Sequence, residues 1–251
     1  PSHYLPHSYQ LIDKLPLTPQ NKVDRKLASI DSSTDLPLKF EKAHSALERA
    51  IALIWQNHLN QHTDLCISTP YASLGGIEDN YLAMIAHINQ RYGIQLKQHP
   101  SLITIKSIAQ LITKKQATWV APIPKLSIAV VGGGPAAISF CQQLIAKLIE
   151  DKLQNIQVTV FEKNTTIGAG LPYQIKDDCY ILNLPVDMMA LGANNQEQFK
   201  SWFTKHLSKK YKTKFPPRHV FGTYINHTAQ ELIYVAKGHN IQLEYITDTE
   251  I

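Results

Sequence analysis

Ser127 to Ala137 reads SIAVVGGGPAA, an apolar β-rich run that ends in three glycines and a proline and then turns helical. The spacing Gly132-x-Gly134-x-x-Ala137 fits G-x-G-x-x-G/A, in which small residues let the backbone turn sharply, approach a pyrophosphate and pack helix on strand. Context strengthens the pattern. Ile128 to Val131 can form a buried strand, while Ala137, Cys141, Leu144 and Leu148 recur at helical spacing, with Ile138, Ile145 and Ile149 widening the stripe. A second strand, Gln157 to Phe161, ends at Glu162, whose carboxylate can accept both ribose hydroxyl protons of an adenosine. A helix starting just past Gly134 favours phosphate at its N-terminus. Glu162 lies farther from the glycines than the usual separation of about 20 residues, which requires a long first helix or a long exit from it.

Length and composition bound the remaining readings. With 251 residues, 44% of them hydrophobic, the chain can hold two or more folded domains. A net charge of +5 is modest, and the dense basic stretch from Lys205 to Arg218 has neither stacking aromatics nor a reader motif, so it reads as a solvated helix end and loop and no nucleic-acid partner is expected. Cys66, Cys141 and Cys179 are odd in number and widely spaced, which predicts free thiols and a reducing, cytoplasmic setting. Glycines and Pro135 interrupt the longest apolar run, and no membrane span is expected. His58 and His62 stand at i, i+4, but no third ligand is placed near them, so no metal site is proposed. The chain starts at Pro1 and stops inside a strand-like stretch, and it reads as a piece of a longer protein.

Before the glycine turn the chain divides into segments. Residues 1–30 are extended and punctuated by Pro6, Pro16 and Pro19, and residues 31–39 form a polar linker. Residues 40–116 hold a small all-α bundle. Ala43, Leu47, Ala50, Ile51, Ile54 and Trp55 mark a first helix ending near Asn60; a second is expected over Glu78 to Tyr92 and a third over about Thr104 to Lys115. A second linker, residues 117–125, contains Pro122 and Pro124 and leads into the α/β unit, residues 126–251. There, residues 227–236 read as a helix and Ile241 to Ile246 as a strand.

Three stretches carry family resemblances. YLPHSYQLIDKLPLTPQNKVDRKL, Tyr4 to Leu27, resembles the C-terminal tail of nonribosomal peptide synthetase adenylation domains. That family's P-x-G-K-x-D-R motif places a lysine on the reacting carboxylate and phosphate during acyl-adenylate formation. The resemblance makes Lys22 that lysine, with Asn21 where the family has glycine. The bundle, through ALERAIALIWQNHL, YASLGG, RYGIQL and SLITIKSIAQLI, resembles the carrier domain that follows adenylation domains. Carrier domains read L-G-G-[HD]-S-L, and their serine takes phosphopantetheine. Here LGGIEDNYL puts Ile77 and Glu78 at the histidine-or-aspartate and serine positions, and a carboxylate cannot take that arm.

The third resemblance follows Glu162. KNTTIGAGLPYQIKDDCYILNLPVDMMAL and FPPRHVFGTYI resemble segments of FAD/NAD(P)-binding, monooxygenase-type oxidoreductases with a Rossmann-like fold. The resemblance adds Lys163, Gly168, Gly170 and Asn183 to Gly132, Gly134, Pro135, Ala136, Ala137 and Glu162 as candidate cofactor-binding residues. Glycines can hug the pyrophosphate and flavin, and Asn183 can bond a ring edge or diphosphate. Tyr173 and Met188 read as packing residues, and Arg218 as the partner of a nearby carboxylate. The family also has a second, nicotinamide-binding glycine turn and a segment closing over the flavin, and residues 1–251 contain neither.

Together these readings describe a multidomain fragment of a synthetase-like protein: an adenylation tail, a carrier-like bundle without its serine, and an incomplete Rossmann-like domain for FAD, with NAD(P)H as a candidate reductant. The implied partners are other synthetase domains in cis and a small acyl or amino-acid-derived substrate, and the fragment alone is expected to be inactive. The rival reading is a non-catalytic interaction module that retains a relict dinucleotide fold.

Overall fold

The structure is a computed structural model that describes residues 17, 18, 22, 23 and 40–249, except 62, 77, 98 and 193–195. Most of the adenylation-like tail, including Asn21, Asp24 and Arg25, lies outside the described residues, as do Ile77 and His62.

Three helices form the first half. α1 (Ala46–Leu59) opens on a capping box in which the Ser45 hydroxyl accepts from the Glu48 N–H and the Glu48 carboxylate accepts from the Ser45 N–H, and it closes on Asn60 in the left-handed region. α2 (Glu78–Tyr92) and α3 (Ile105–Ala117) follow, α3 with its own capping box between Thr104 and Ser107. The periodic apolar residues of α1 and α3 meet as expected: Leu47, Ile51, Trp55, Ile105, Ile108 and Ile112 are almost completely buried, together with Met84 and Ile88 of α2. Trp55 meets the ring of Tyr71 edge-on at 5.0 Å, which ties the loop after α1 to the bundle core.

The second half is a three-stranded parallel sheet in the order β1 (Leu126–Val131), β2 (Ile156–Phe161), β3 (Ile241–Ile246). Register runs without offset from Leu126 opposite Ile156 and Ile156 opposite Ile241. Parallel neighbours require crossovers. α4 (Pro135–Glu150) makes the first, and its 16 residues plus a turn with Lys152 and Asn155 at positive φ supply the long spacing to Glu162. Between β2 and β3 run α5 (Gly170–Gln174), α6 (Gln196–His206) and α7 (Arg218–Gly238). α7 packs on β3 and α4, and Val158, Val160, Ile241, Leu243, Ile138, Cys141 and Ile145 join one core. The other sheet face is open at β1, where Ser127, Ala129 and Val131 are exposed.

Three elements differ from expectation. The strand read as buried over Ile128 to Val131 is half exposed, because nothing among the described residues covers its outer face, and Val131 is 72% exposed. The helix read over residues 227–236 begins nine residues earlier, because PPRHVFGTYI enters α7 after Pro217, whose ring suits the position before a helix. α6 was not foreseen: the basic stretch draws the eye, but Phe199, Trp202 and Phe203 on this helix are buried.

The bundle and the α/β unit pack together, α1, α2 and α3 all meeting α7. The Arg91 guanidinium donates twice to the Glu231 carboxylate, at 2.7 and 2.9 Å, and the Tyr92 hydroxyl donates to it at 2.7 Å. Below that clasp the chain ends of α2 and α7 touch. A Cβ added at Gly93 would lie 1.9 Å from the Gly238 carbonyl oxygen, and Gly93 also has φ +59°, so both sterics and conformation demand glycine. Gln116 Nε2 to the Tyr234 carbonyl, Lys205 Nζ to Asn57 Oδ1 and His239 Nε2 with the Gln90 carbonyl also cross the contact.

Candidate functional site

At the C-terminal end of the parallel sheet, the place where open α/β sheets bind ligands, β1 leads directly into the glycine turn. Gly132 takes φ +87°, donates its N–H to the Phe161 carbonyl at 2.8 Å and has free space where a Cβ would stand. Gly134 caps α4 in extended backbone with Pro135 at the first helical position, an arrangement that leaves helix N–H groups facing outward. Gly132 and Ala136 are exposed, and Gly134, Pro135 and Ala137 are half-buried.

The second glycine pair comes to the first. The Gly168 N–H donates to the Gly133 carbonyl at 2.7 Å, and a Cβ on Gly170 would lie 3.4 Å from the Gly134 Cα and 3.1 Å from the Pro135 ring. Two segments thirty-odd residues apart thus form one small-residue cradle beside a helix N-terminus. The middle glycine has the strictest steric role, which spacing alone did not reveal. A Cβ at Gly133 would fall 2.1 Å from Ile167 Cδ1 and 2.9 Å from Glu162 Cβ. The run of three consecutive glycines was the available signal.

Glu162 is 6% exposed and lies directly beneath this turn. Its Oε2 accepts from the Gly133 N–H at 2.6 Å and its Oε1 from the Asn164 N–H at 2.9 Å. Burial works against the charge, but these N–H donors hold the carboxyl below the usual carboxylate range. Glu162 therefore stands as a carboxylate that also braces the glycine turn. Lys163 beside it is exposed.

Asn183 is exposed, and its Oδ1 accepts from Arg218 Nη2 at 2.8 Å; no hydrogen bond among the described residues joins it to the cradle. Arg218 Nε also donates to the Ile181 carbonyl at 3.0 Å. The expectation that Arg218 pairs with a carboxylate is thereby corrected, since it crosslinks the LNLP segment through a carbonyl and an amide. Tyr173 does pack, meeting the Phe221 ring edge-on at 5.2 Å, but Met188 is 63% exposed and is no core residue. Both line a cleft of about 460 Å³ beside Pro135, with Leu184, Met189, Leu191 and Phe221. The cleft abuts the start of α4 through Pro135, and most of its lining side chains are apolar.

Comparison with known proteins matches this half of the chain. Residues 129–250 fit the FAD-NAD(P)-binding family. The match thus begins inside β1 and includes β3, the span that builds the cradle. The chain is also distantly similar to multidomain peptide synthetases. It is 30% identical over 116 residues to bacitracin synthase 1 of Bacillus licheniformis, 45% of this chain and 2% of that protein. It is 28% identical over 187 residues to a mycosubtilin synthase of Bacillus subtilis, 72% of this chain and 6% of the relative. Gramicidin S synthase 2 of Brevibacillus brevis is 24% identical over 131 residues, 50% of this chain and 3% of the relative. The chain thus spans a small fraction of the relatives it matches.

Other expected features fall as follows. Lys22 is exposed, and its N–H and carbonyl both bond Thr18 beside a bridge from Leu17 to Val23. Cys66 and Cys141 are buried free thiols and Cys179 an exposed one. Among the described residues no cluster of three metal-ligating side chains forms, and no helix is long and apolar enough to cross a membrane.

Proposed function

We propose that this chain belongs to a synthetase-like multidomain protein and that its second half binds FAD in an oxidoreductase domain of monooxygenase type. The observation that carries the reading is the cradle in which Gly132 to Gly134, the start of α4 and Gly168 to Gly170 meet over Glu162. The residues suit the group: Gly132 and Gly134 leave open the space a Cβ would fill, where a diphosphate needs close backbone approach. Pro135 and Ala136 begin the helix whose free N–H groups would face that diphosphate, and Ala137 keeps the helix close to the strand. Glu162 would accept from one ribose hydroxyl at Oε2, where Gly133 leaves a lone pair, because the Asn164 backbone and side-chain N–H groups both bond Oε1. Gly168 and Gly170 form the facing wall, and Lys163 and Asn183 would add polar contacts to the ligand. Bound FAD would supply the redox chemistry, with NAD(P)H as reductant.

The test is flavin retention by the purified chain beside Gly134→Val and Glu162→Ala. A Cβ at Gly134 meets only the Gly170 Cα, at 3.8 Å, so that variant should fold while its side chain fills the ligand's space. Retained visible flavin absorbance in the parent and its loss in folded Gly134→Val is the expected result. Equal retention by both overturns the assignment. Repeating the measurement with chain extended beyond Ile251 covers a site completed by later residues.

For the first half, we read residues 40–116 as a carrier-like bundle in a structural or docking role, and residues 1–30 as an adenylation-domain tail whose Lys22 acts only beside the body of such an enzyme. Glu78 begins α2 where a carrier would present its serine, and the bundle's helices are held against α7. Treatment with a phosphopantetheinyl transferase should add no mass; a gain mapped to residues 68–85 would overturn this reading.

A further inference from the structure

A second cavity lies where α1 and α2 of the bundle face α4, α6 and α7 of the α/β unit, and it shares no lining residue with the glycine cradle. It measures about 140 Å³, close to the engineered apolar cavity of about 150 Å³ that admits benzene. Ala46, Ala50, Leu53 and Ile54 of α1 form its apolar side.

Its polar side is unusual. Among the described residues seven buried side-chain polar atoms have no hydrogen-bond partner, and four of them, Arg49 Nε, Gln142 Oε1, Trp202 Nε1 and His227 Nδ1, belong to residues that line this one cavity. Native proteins leave few buried polar atoms unpaired, so four around one void mark a place where something else completes the bonding. Trp202 is 6% exposed, and its indole N–H is a donor only. It is held edge-on to His227, with ring centres 5.6 Å apart, and stacks on His206 at 5.1 Å.

Charge selects the ligand. Glu231 also lines the cavity, but Arg91 and Tyr92 consume its carboxylate. Among the described residues no carboxylate stands within ion-pair distance of Arg49, whose Nη1 is anchored on the His44 carbonyl at 2.6 Å. One cation is left over, beside an indole donor. Burial depresses the basicity of Arg49, His87 and His227, and cationic neighbours push the two histidines down further, while Glu48 and Glu231 partly offset this at Arg49 and His87.

We propose that this interdomain cavity is a binding site for a small organic carboxylate with an apolar body, its carboxylate received by Arg49 and Trp202 and its body by the α1 wall. Arg49 belongs to the bundle and Trp202 to the α/β unit, so neither half holds the site alone. A ligand there would strengthen the contact between them.

Benzoate is the probe, with benzyl alcohol as the uncharged control and acetate as the control without a ring, each titrated into the whole chain by calorimetry. Benzoate should bind with a dissociation constant of about 1 mM or below, and each control at least about tenfold more weakly. Trp202→Phe, which keeps an aromatic ring and removes the N–H, and Arg49→Met should each weaken benzoate about tenfold, with folding checked by circular dichroism. No binding by the folded parent chain overturns the proposal, for the cavity then holds water only. Benzyl alcohol binding as tightly as benzoate overturns the carboxylate assignment, and acetate doing so overturns the apolar body. Unchanged affinity in both folded variants overturns the location.

Discussion

Replacing Arg91 by Met should loosen the contact between the bundle and the α/β unit. The Glu231 side chain is 12% exposed and that of Arg91 32%, so the pair is neither a surface bridge nor fully enclosed. Exposed pairs contribute about 0.2–1 kcal/mol, whereas removing one partner of a buried pair costs about 3–5 kcal/mol because the other charge is stranded. Arg91→Met keeps the aliphatic stem but leaves Glu231 with the Tyr92 hydroxyl, and partial exposure lets water relieve some of the loss. The expected destabilisation is about 2–3 kcal/mol, intermediate between those limits. At this chain length that lowers the melting temperature by about 4–12 °C. Urea melts followed in parallel by tryptophan fluorescence and far-ultraviolet circular dichroism would measure it, the two probes also testing whether both halves unfold together. The double variant Arg91→Met, Glu231→Leu should recover most of the loss, since no charge is then stranded. A loss below about 0.5 kcal/mol in the single variant, or a double variant no better than the single, would refute the reasoning.

Acid should weaken the same contact. Burial pushes the Glu231 carboxyl up, but the charge and hydrogen bonds of Arg91 outweigh it, so the net position is below the ordinary value. A carboxyl depressed in the folded state stabilises above its unfolded value near 4.3 and loses that contribution as pH falls through the folded one. His227, pushed down to about 4 by burial and then by Arg49 and His206, adds a decline beginning near pH 6.5, and His227→Gln should flatten that upper part of a stability–pH curve. Gly133→Ala should cost about 1–3 kcal/mol in a chemical melt, because its Cβ would collide with Ile167 and Glu162, whereas Gly134→Ala should cost far less. In native buffer a thiol reagent should label Cys179 alone, since Cys66 and Cys141 are buried and burial pushes the Cys141 thiol up to about 11; peptide mapping that finds Cys141 labelled first would contradict the packing.

Much of this architecture could be read from the sequence because it is encoded locally. The helix from Glu78 to Tyr92 and the strand from Ile241 to Ile246 have the expected bounds, as apolar spacing and breakers lie within a few residues of one another. The glycine turn and the strand-ending Glu162 were legible for the same reason, and so was the need for a long helix or exit loop between them, which α4 and its turn supply. α6 was hidden because its apolar residues sit among lysines and its moderate pattern gains meaning only when Phe199 and Trp202 meet Phe221 and Tyr224. Arg218 was misread because side-chain partners follow from the fold, and Ile181 and Asn183 stand thirty-odd residues away.

By itself the sequence determined the local elements and the small residues of a dinucleotide turn, whose steric demands are set by neighbours in the chain. Only the tertiary structure decided that Gly168 and Gly170 close over that turn, that Gly133 rather than its neighbours is the tightest position, and that the bundle seats on α7 through Arg91, Glu231, Gly93 and Gly238. Contacts across 140 residues leave no periodic trace in a single chain; they arise when burial brings distant groups within hydrogen-bonding reach and makes leaving any of them unpaired costly.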